Sequence, residues 1–193
     1  MTRQNTTRTL AYGAILTALV FVLQMLGATI RFGTFSISLV LIPIVLGAAL
    51  CGKNIGAWLG FVFGVAVLAS GDASVFYAIN APGTIITVLV KGTACGYVSG
   101  LTYQLLCTRN KWLATFGSAM VCPIVNTGVF LLGCAVFFYP TMVQWSQGDF
   151  GGNAVAYMFL GLIGLNFLVE LAVNLIISPI LVRLIHLVEK QFM

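Results

Sequence analysis

Long apolar runs separated by short polar stretches dominate the chain, and their lengths predict helices that cross a membrane. A spanning helix needs about 20 mostly apolar residues. Six segments approach or exceed that length: Thr9–Gly27, Ser38–Cys51, Ile55–Ala69, Thr84–Cys107, Trp112–Tyr139 and Ala154–Leu187. The second is short and contains Pro43, so we expect it to be tilted, kinked or only partly spanning. The pattern predicts an all-α integral membrane protein with six transmembrane helices, in a single domain over residues 1–193.

Glycines recur every four residues along two of these segments. The third segment and its start carry Gly52, Gly56, Gly60 and Gly64, and the fourth carries Gly92, Gly96 and Gly100. This spacing places them on one helix face, where small residues let helix backbones approach closely in lipid. We expect the two ladders to pack helices within the bundle. A smooth surface for a partner is better formed by the first helix, where Ala14 and Ala18 lie four residues apart.

The composition agrees with a location in lipid. Hydrophobic residues make up 60% of the chain and charged residues 7%, and the mean hydropathy is +1.08. A soluble domain carries about 25% charged residues. The surface of this chain must therefore face lipid, and there is no basic stripe of the kind that binds nucleic acid.

Positive charges are distributed unevenly between the predicted loops. With the N-terminus inside, the cytoplasmic segments hold Arg3, Arg8, Lys53, Arg109, Lys111, Arg183 and Lys190. The outer segments hold only Arg31, together with the acidic Asp72 and Asp149. Lys and Arg accumulate in cytoplasmic loops. We therefore expect both termini to be cytoplasmic.

Lys91 is an ionisable residue inside an apolar segment. It lies seven residues after Thr84, which at 1.5 Å per residue is about 10 Å below the predicted outer end of its helix. A charge within the hydrocarbon costs about 2.5–3.5 kcal/mol on insertion scales, so it marks a candidate functional site. Lys91 either meets an anionic group of a ligand or extends outward to the membrane surface.

Glu170 is the second buried candidate, and it lies between Asn166 and Asn174 in the sixth segment. The four-residue spacing places all three on one helix face, which must face the protein interior or a wet cavity. The stripe is either a structural network, for example through an ion pair with Lys91, or one wall of a binding site.

Further polar and aromatic residues cluster on the outer half of the fourth to sixth helices and on the outer loops. The candidate ligand-binding residues are Arg31, Phe76, Tyr77, Asn80, Thr84, Lys91, Asn126, Asn166 and Glu170. Ligand pockets are mostly apolar with a few placed polar groups. The cluster predicts such a pocket, open to the outside.

The sequence lacks the motifs of several catalytic chemistries. No phosphate-binding G-x-x-x-x-G-K-[ST], H-E-x-x-H or G-x-S-x-G occurs. The cysteines form no C-x-x-C pair, and the single histidine, His186, has no partner at metal-ligand spacing. We expect no enzyme activity, no ATP hydrolysis by this chain alone, no cofactor and no metal.

The order of these features resembles the substrate-binding S components of energy-coupling factor (ECF) vitamin transporters, in particular the subgroup of pantothenate and cobalamin binders. The resemblance covers nearly the whole chain and rests on the glycine ladder at 52–64, RTLA at 8–11, LIPIVLG at 41–47, KGTACGYVSGL at 91–101, NTG at 126–128 and NxxxExxxN at 166–174. It implies high-affinity capture of a micronutrient at the outer face of a bacterial plasma membrane. It also implies docking, through Ala14 and Ala18, on a membrane coupling protein and two ATPase subunits.

The resemblance favours pantothenate as the ligand, because Lys91 would suit a carboxylate while Asn and Thr side chains would suit hydroxyls and amides. Cobalamin, riboflavin and folate are the alternative vitamins. A self-contained channel or secondary transporter is a rival class, although Glu170 is the one acid that such coupling would use. A third class is a membrane scaffold, in which Lys91 and Glu170 would form a closed ion pair with no adjacent cavity.

Overall fold

Helices make up almost all of the chain in a computed structural model, which describes residues 3–29, 31–32, 35–36 and 39–192. The elements are α1 (Arg3–Thr29), β1 (Arg31–Phe32), β2 (Phe35–Ser36), α2 (Leu41–Cys51), α3 (Lys53–Ala69), α4 (Ser74–Ile79), α5 (Ala81–Leu106), α6 (Lys111–Phe137), α7 (Tyr139–Trp145), α8 (Ala154–Ala156), a π-helical segment (Tyr157–Leu162) and α9 (Gly164–Phe192). The two strands pair antiparallel, with Arg31 opposite Ser36. Ser38, the predicted start of the second helix, lies outside the described residues.

Within the described ranges, four helical segments are long and apolar enough to cross a membrane. They are Thr9–Gly27, Ala81–Leu106, Lys111–Phe137 and Asn166–Ile185, and they correspond to the first, fourth, fifth and sixth predicted segments. The second and third segments correspond to the shorter apolar helices α2 and α3, of 11 and 17 residues. The all-α membrane class is thus confirmed, while the count of six spans stays a prediction.

The shortest of these apolar helices, α2, lies inside the bundle. Its 11 residues extend about 16 Å, roughly half the thickness of the hydrocarbon core. Leu41, Ile44 and Val45 are fully buried, and Pro43 lies in the first turn, where a missing N–H breaks no helix bond. The corner to α3 is formed by Gly52, whose φ of 90° is a conformation that glycine adopts without strain.

The glycine ladders bring α3 and α5 into backbone contact. A methyl group at Gly60 would overlap the carbonyl of Gly92, and one at Gly92 would overlap the carbonyl of Gly60. The same reciprocal overlap joins Gly56 and Gly96. Only glycine permits this separation, and such close approach drives helix association in lipid. The prediction that the ladders pack helices within the bundle is confirmed.

The sixth predicted segment was expected to be one helix, and this prediction is wrong. It divides into α8, the π-helical segment, a break at Ile163 and α9. Gly161 and Gly164 flank the break, and glycine is the poorest helix former after proline. Tyr157 is held by an edge-on contact with Phe150, with ring centroids 5.6 Å apart.

Two short helices occupy stretches that we predicted as loops. Ser74–Ile79 forms α4, and Tyr139–Trp145 forms α7. α6 ends at Phe137, two residues before the predicted end of the fifth segment. A new helix, α7, begins at Tyr139, with Pro140 in its first turn. Proline suits the first turn of a helix, where no N–H is needed.

Candidate functional site

A cavity of about 250 Å³ lies among α1, α3, α5, α6 and α9, beside α4. Its polar lining consists of Gln24, Asp72, Thr84, Thr87, Lys91, Asn126, Thr127, Asn166 and Glu170. Its aromatic lining consists of Phe63, Phe76, Phe130, Phe138 and Phe167. Apolar walls with a few convergent polar groups are typical of a small-molecule site.

The N-terminal cap of α5 determines where along the helix three cavity residues lie. Asn80 caps the helix: its side-chain oxygen accepts from the Gly83 N–H at 3.0 Å, and its carbonyl accepts from the Thr84 N–H at 2.9 Å. Thr84, Thr87 and Lys91 follow at spacings of three and four, so they share the face that lines the cavity. Lys91 lies ten residues beyond Ala81, about 15 Å along the helix.

The Lys91 ammonium is held by aromatic rings. Its Nζ lies 5.7 Å from the ring centroid of Phe63 and 5.2 Å from that of Phe130, within the range of cation–π attraction. Glu170 and Asp72 are near enough to act on it electrostatically. Within the described part of the chain, however, Lys91 and Glu170 are not within the 4.0 Å of a direct ion pair. The three N–H donors of Lys91 can therefore serve a ligand.

The polar stripe of α9 faces the protein interior, as its spacing predicted. Asn166 and Glu170 line the cavity, and Glu170 is only 6% exposed. One turn further, the Asn174 side chain is fully buried, and its Nδ2 donates to the Glu170 carbonyl at 2.9 Å. When ionised, the Glu170 carboxylate offers acceptors only, and it then favours a ligand group that donates hydrogen bonds.

Unpartnered buried polar atoms occur on α5, α6 and α9 around the cavity. Among the described residues, Thr87 Oγ1, Asn126 Oδ1 and Asn174 Oδ1 are buried without a hydrogen-bond partner; Thr87 and Asn126 line the cavity, whereas Asn174 does not. Leaving a buried polar group unpaired costs about 1–3 kcal/mol. The Thr87 and Asn126 atoms are themselves shielded, and Thr87 Oγ1 lies against Gly133 of α6, so a ligand in the cavity would reach them only after the side chains rotate.

Six of the nine predicted ligand residues line this cavity: Phe76, Thr84, Lys91, Asn126, Asn166 and Glu170. Tyr77 is not among the lining residues and is 50% exposed. Asn80 acts as the helix cap described above. The side chain of Arg31 lies outside the described residues, and its backbone belongs to β1.

The sequence reasoning missed several lining residues. Gln24 is 5% exposed, and its Nε2 donates to Asp72 Oδ2 at 3.5 Å. The sequence predicts Asp72 only as a charge on an outer loop. A polar Gln24 inside the apolar first segment was a usable signal, as was Thr87, four residues before Lys91. Phe63 offers no such signal in the sequence, because phenylalanine is common in membrane helices.

A tightly packed layer lies one turn beyond the cavity. Cys95, Cys122 and Asn174 are each 0% exposed. Below them, the hydroxyl oxygens of Ser99 and Ser118 lie 2.7 Å apart. The cavity is therefore closed on this side.

A separate apolar groove runs along α1 and α3. Ala14 and Ala18 line it together with Trp58, whose Nε1 donates to Thr17 Oγ1 at 3.2 Å. Both alanines are exposed. The small-residue patch is thus accessible, as partner docking requires.

Comparison with known proteins gives one family. The family model described as the substrate-specific component of the ECF transporter matches residues 8–182. No curated protein and no solved structure matches the chain.

Proposed function

This chain belongs to the family of ECF transporter substrate-specific components, and we propose that it captures a small vitamin in the cavity between α5, α6 and α9. Members of this family are membrane transport subunits rather than enzymes, so the cavity serves binding and not catalysis. The observation that supports the proposal best is the convergence of Lys91, Asn126 and Glu170 on one closed-ended cavity.

Each of these three residues would bind a different chemical group of the ligand. Lys91 would bind a carboxylate or another anionic group, because its ammonium has no direct partner in Glu170. Glu170 would accept hydrogen bonds from a hydroxyl or amide N–H. Asn126, which also lines the cavity, would accept another after its side-chain amide rotates towards the ligand. Hydrogen bonds to charged groups contribute about 1.5–3 kcal/mol each.

Pantothenate is the ligand that we propose from the sequence, since it carries one carboxylate, two hydroxyls and an amide. Cobalamin is far too large for a cavity of about 250 Å³. Riboflavin and folate stay as alternatives that the same binding experiment distinguishes.

The membrane arrangement that we propose has six spans, with both termini in the cytoplasm of a bacterial plasma membrane. α2 and α3 would then together complete the bundle around the four long spans. The groove with Ala14 and Ala18 would face the transmembrane coupling protein, which joins this chain to two ATPase subunits.

The family membership favours a binding subunit over the rival classes. A channel also needs an open through-path, whereas Cys95, Cys122 and Asn174 are each 0% exposed. A scaffold with a closed Lys91–Glu170 pair needs no cavity, whereas both residues line one.

Native mass spectrometry of the detergent-purified protein with a vitamin panel tests the proposal. We expect one vitamin, pantothenate first, to form a stoichiometric adduct that the Lys91→Gln variant loses and the Lys111→Gln variant keeps. Lys111 lies at the exposed start of α6, away from the cavity. No adduct with any vitamin, or equal adducts in both variants, would contradict the proposed site.

A further inference from the structure

Three ionisable side chains line the ligand cavity, and their charges do not balance. Lys91 brings one positive charge, whereas Asp72 and Glu170 bring two negative charges when both are ionised. Lys91 and Asp72 also lie near enough to Glu170 to act on it electrostatically. Within the described part of the chain, the cavity lining therefore carries one negative charge in excess.

The other groups that surround Glu170 do not offset this excess. On α6 and α5, the thiols of Cys122 and Cys95 are fully buried, and a buried structural thiol is inert and uncharged. α1 contributes the neutral amide of Gln24, and α3 and α4 contribute apolar side chains. α2 contains no charged residue. Among the described residues, no second cation lines the cavity.

An anionic ligand would increase the imbalance. If its carboxylate binds Lys91 as proposed, three negative charges share the cavity with one positive charge. Ionised groups within a membrane are costly unless they are paired. Like charges that share one site do not all stay ionised, and one of them takes up a proton instead. The charge of the lining therefore predicts that a proton accompanies the anion.

Glu170 is better placed than Asp72 to accept this proton. It is 6% exposed, whereas Asp72 is only half-buried and accepts from Gln24 Nε2 at 3.5 Å. Among the described side chains, the one that donates to Glu170 is Asn174, and it donates to the backbone carbonyl rather than to the carboxylate. A desolvated carboxylate that receives no hydrogen bond is the costlier of the two to keep charged.

We infer that the site binds its anionic ligand together with one proton, which adds to a carboxylate oxygen of Glu170. The inference rests on the proposed function, since it uses the same cavity and the same contact between the ligand and Lys91. The proton comes from the bulk solvent, and no other bond is made or broken. The neutral Glu170 carboxyl gains an O–H donor and keeps an acceptor oxygen, so it can still bind a ligand hydroxyl.

Titration calorimetry with pantothenate counts the proton directly. The detergent-purified protein is titrated in phosphate, HEPES and Tris, whose heats of ionisation differ, and the slope of the observed enthalpy against that heat is the number of protons taken up. We expect a slope that approaches one at about pH 8, and an affinity that falls by up to about tenfold between about pH 8 and 9. In Glu170→Gln both effects should disappear.

Asp149→Asn is the matched control, because it also neutralises an acid, but one that is exposed and does not line the cavity. It should keep the slope of the wild-type protein. The wild-type slope tests the proton uptake by itself, even if Glu170→Gln does not fold.

Each other outcome overturns the inference in a distinguishable way. Pantothenate binding with a slope of zero overturns the inference and leaves the proposed function standing. A slope that Glu170→Gln keeps shows that another group accepts the proton. If pantothenate does not bind and a neutral or cationic vitamin forms the adduct in native mass spectrometry, the inference fails and the capture of a vitamin stands. The absence of an adduct with any vitamin would overturn both.

Discussion

Replacing Gly60 by alanine adds a methyl group at the crossing of α3 and α5. That methyl overlaps the Gly92 carbonyl and lies 3.3 Å from the Thr93 Cα. Because the obstruction is backbone, no side-chain rotation relieves it, and the two helices must move apart. Overpacking of this kind costs about 1–3 kcal/mol. At about 2–4 °C per kcal/mol for a chain of this size, the apparent Tm should fall by about 2–12 °C.

Thermal unfolding followed by intrinsic fluorescence in one detergent measures the effect. Gly128→Ala is the matched control, since its methyl group meets nothing within 4 Å and alanine favours a helix over glycine by up to about 1 kcal/mol. Its Tm should stay constant or rise. Gly92→Ala should behave like Gly60→Ala, and the double variant should lose less than the sum, because both act on one contact. A Gly60→Ala protein as stable as Gly128→Ala would refute the backbone contact.

Three further predictions concern the site and its partner. Lys91→Gln should weaken binding of an anionic ligand about 10–100-fold, as measured by ligand titration in native mass spectrometry. Its Tm in thermal unfolding should not fall. An unchanged affinity would show that Lys91 does not bind the ligand. Glu170→Gln should weaken binding about tenfold and leave Tm equal or higher, because a buried carboxylate becomes neutral; a large fall in Tm would instead support the scaffold interpretation. Ala18→Leu should keep ligand affinity while ATPase subunits no longer co-purify, and undiminished co-purification would move the docking surface elsewhere.

Much of the architecture could be predicted from the sequence. The free-energy cost of exposing apolar groups to water, or polar groups to lipid, depends on the residues of each segment alone. Segment lengths located both ends of α2, α3, α5 and α6 to within about three residues. The same cost identified Lys91 and Glu170, since a charge in an apolar segment needs a protein-lined environment. Four-residue spacing then placed Asn166 and Asn174 on the same interior face.

The parts that could not be predicted depend on contacts between distant segments. Gly161 and Gly164 are the sequence signal for the break at Ile163, but the hydropathy of the surrounding residues shows no interruption there. α4 is a single short helix, and one of its residues, Phe76, packs edge-on against Phe138 with centroids 5.2 Å apart. Asp72 reached the cavity through the fold of the loop before α4. None of these positions follows from periodicity along one helix.

The backbone contact between α3 and α5 also determines which dimension of the cavity can change. Helices joined by interlocking side chains can slide by small rotamer shifts, but two backbones in contact at several levels have no such freedom. Phe63 on α3 and Lys91 on α5 therefore belong to two helices whose backbones are held at a fixed separation. Glu170 belongs to α9, which begins at an irregular backbone and is not part of that pair. If the site rearranges when a ligand binds, we therefore expect the distance between Lys91 and Glu170 to change more than the separation of α3 and α5.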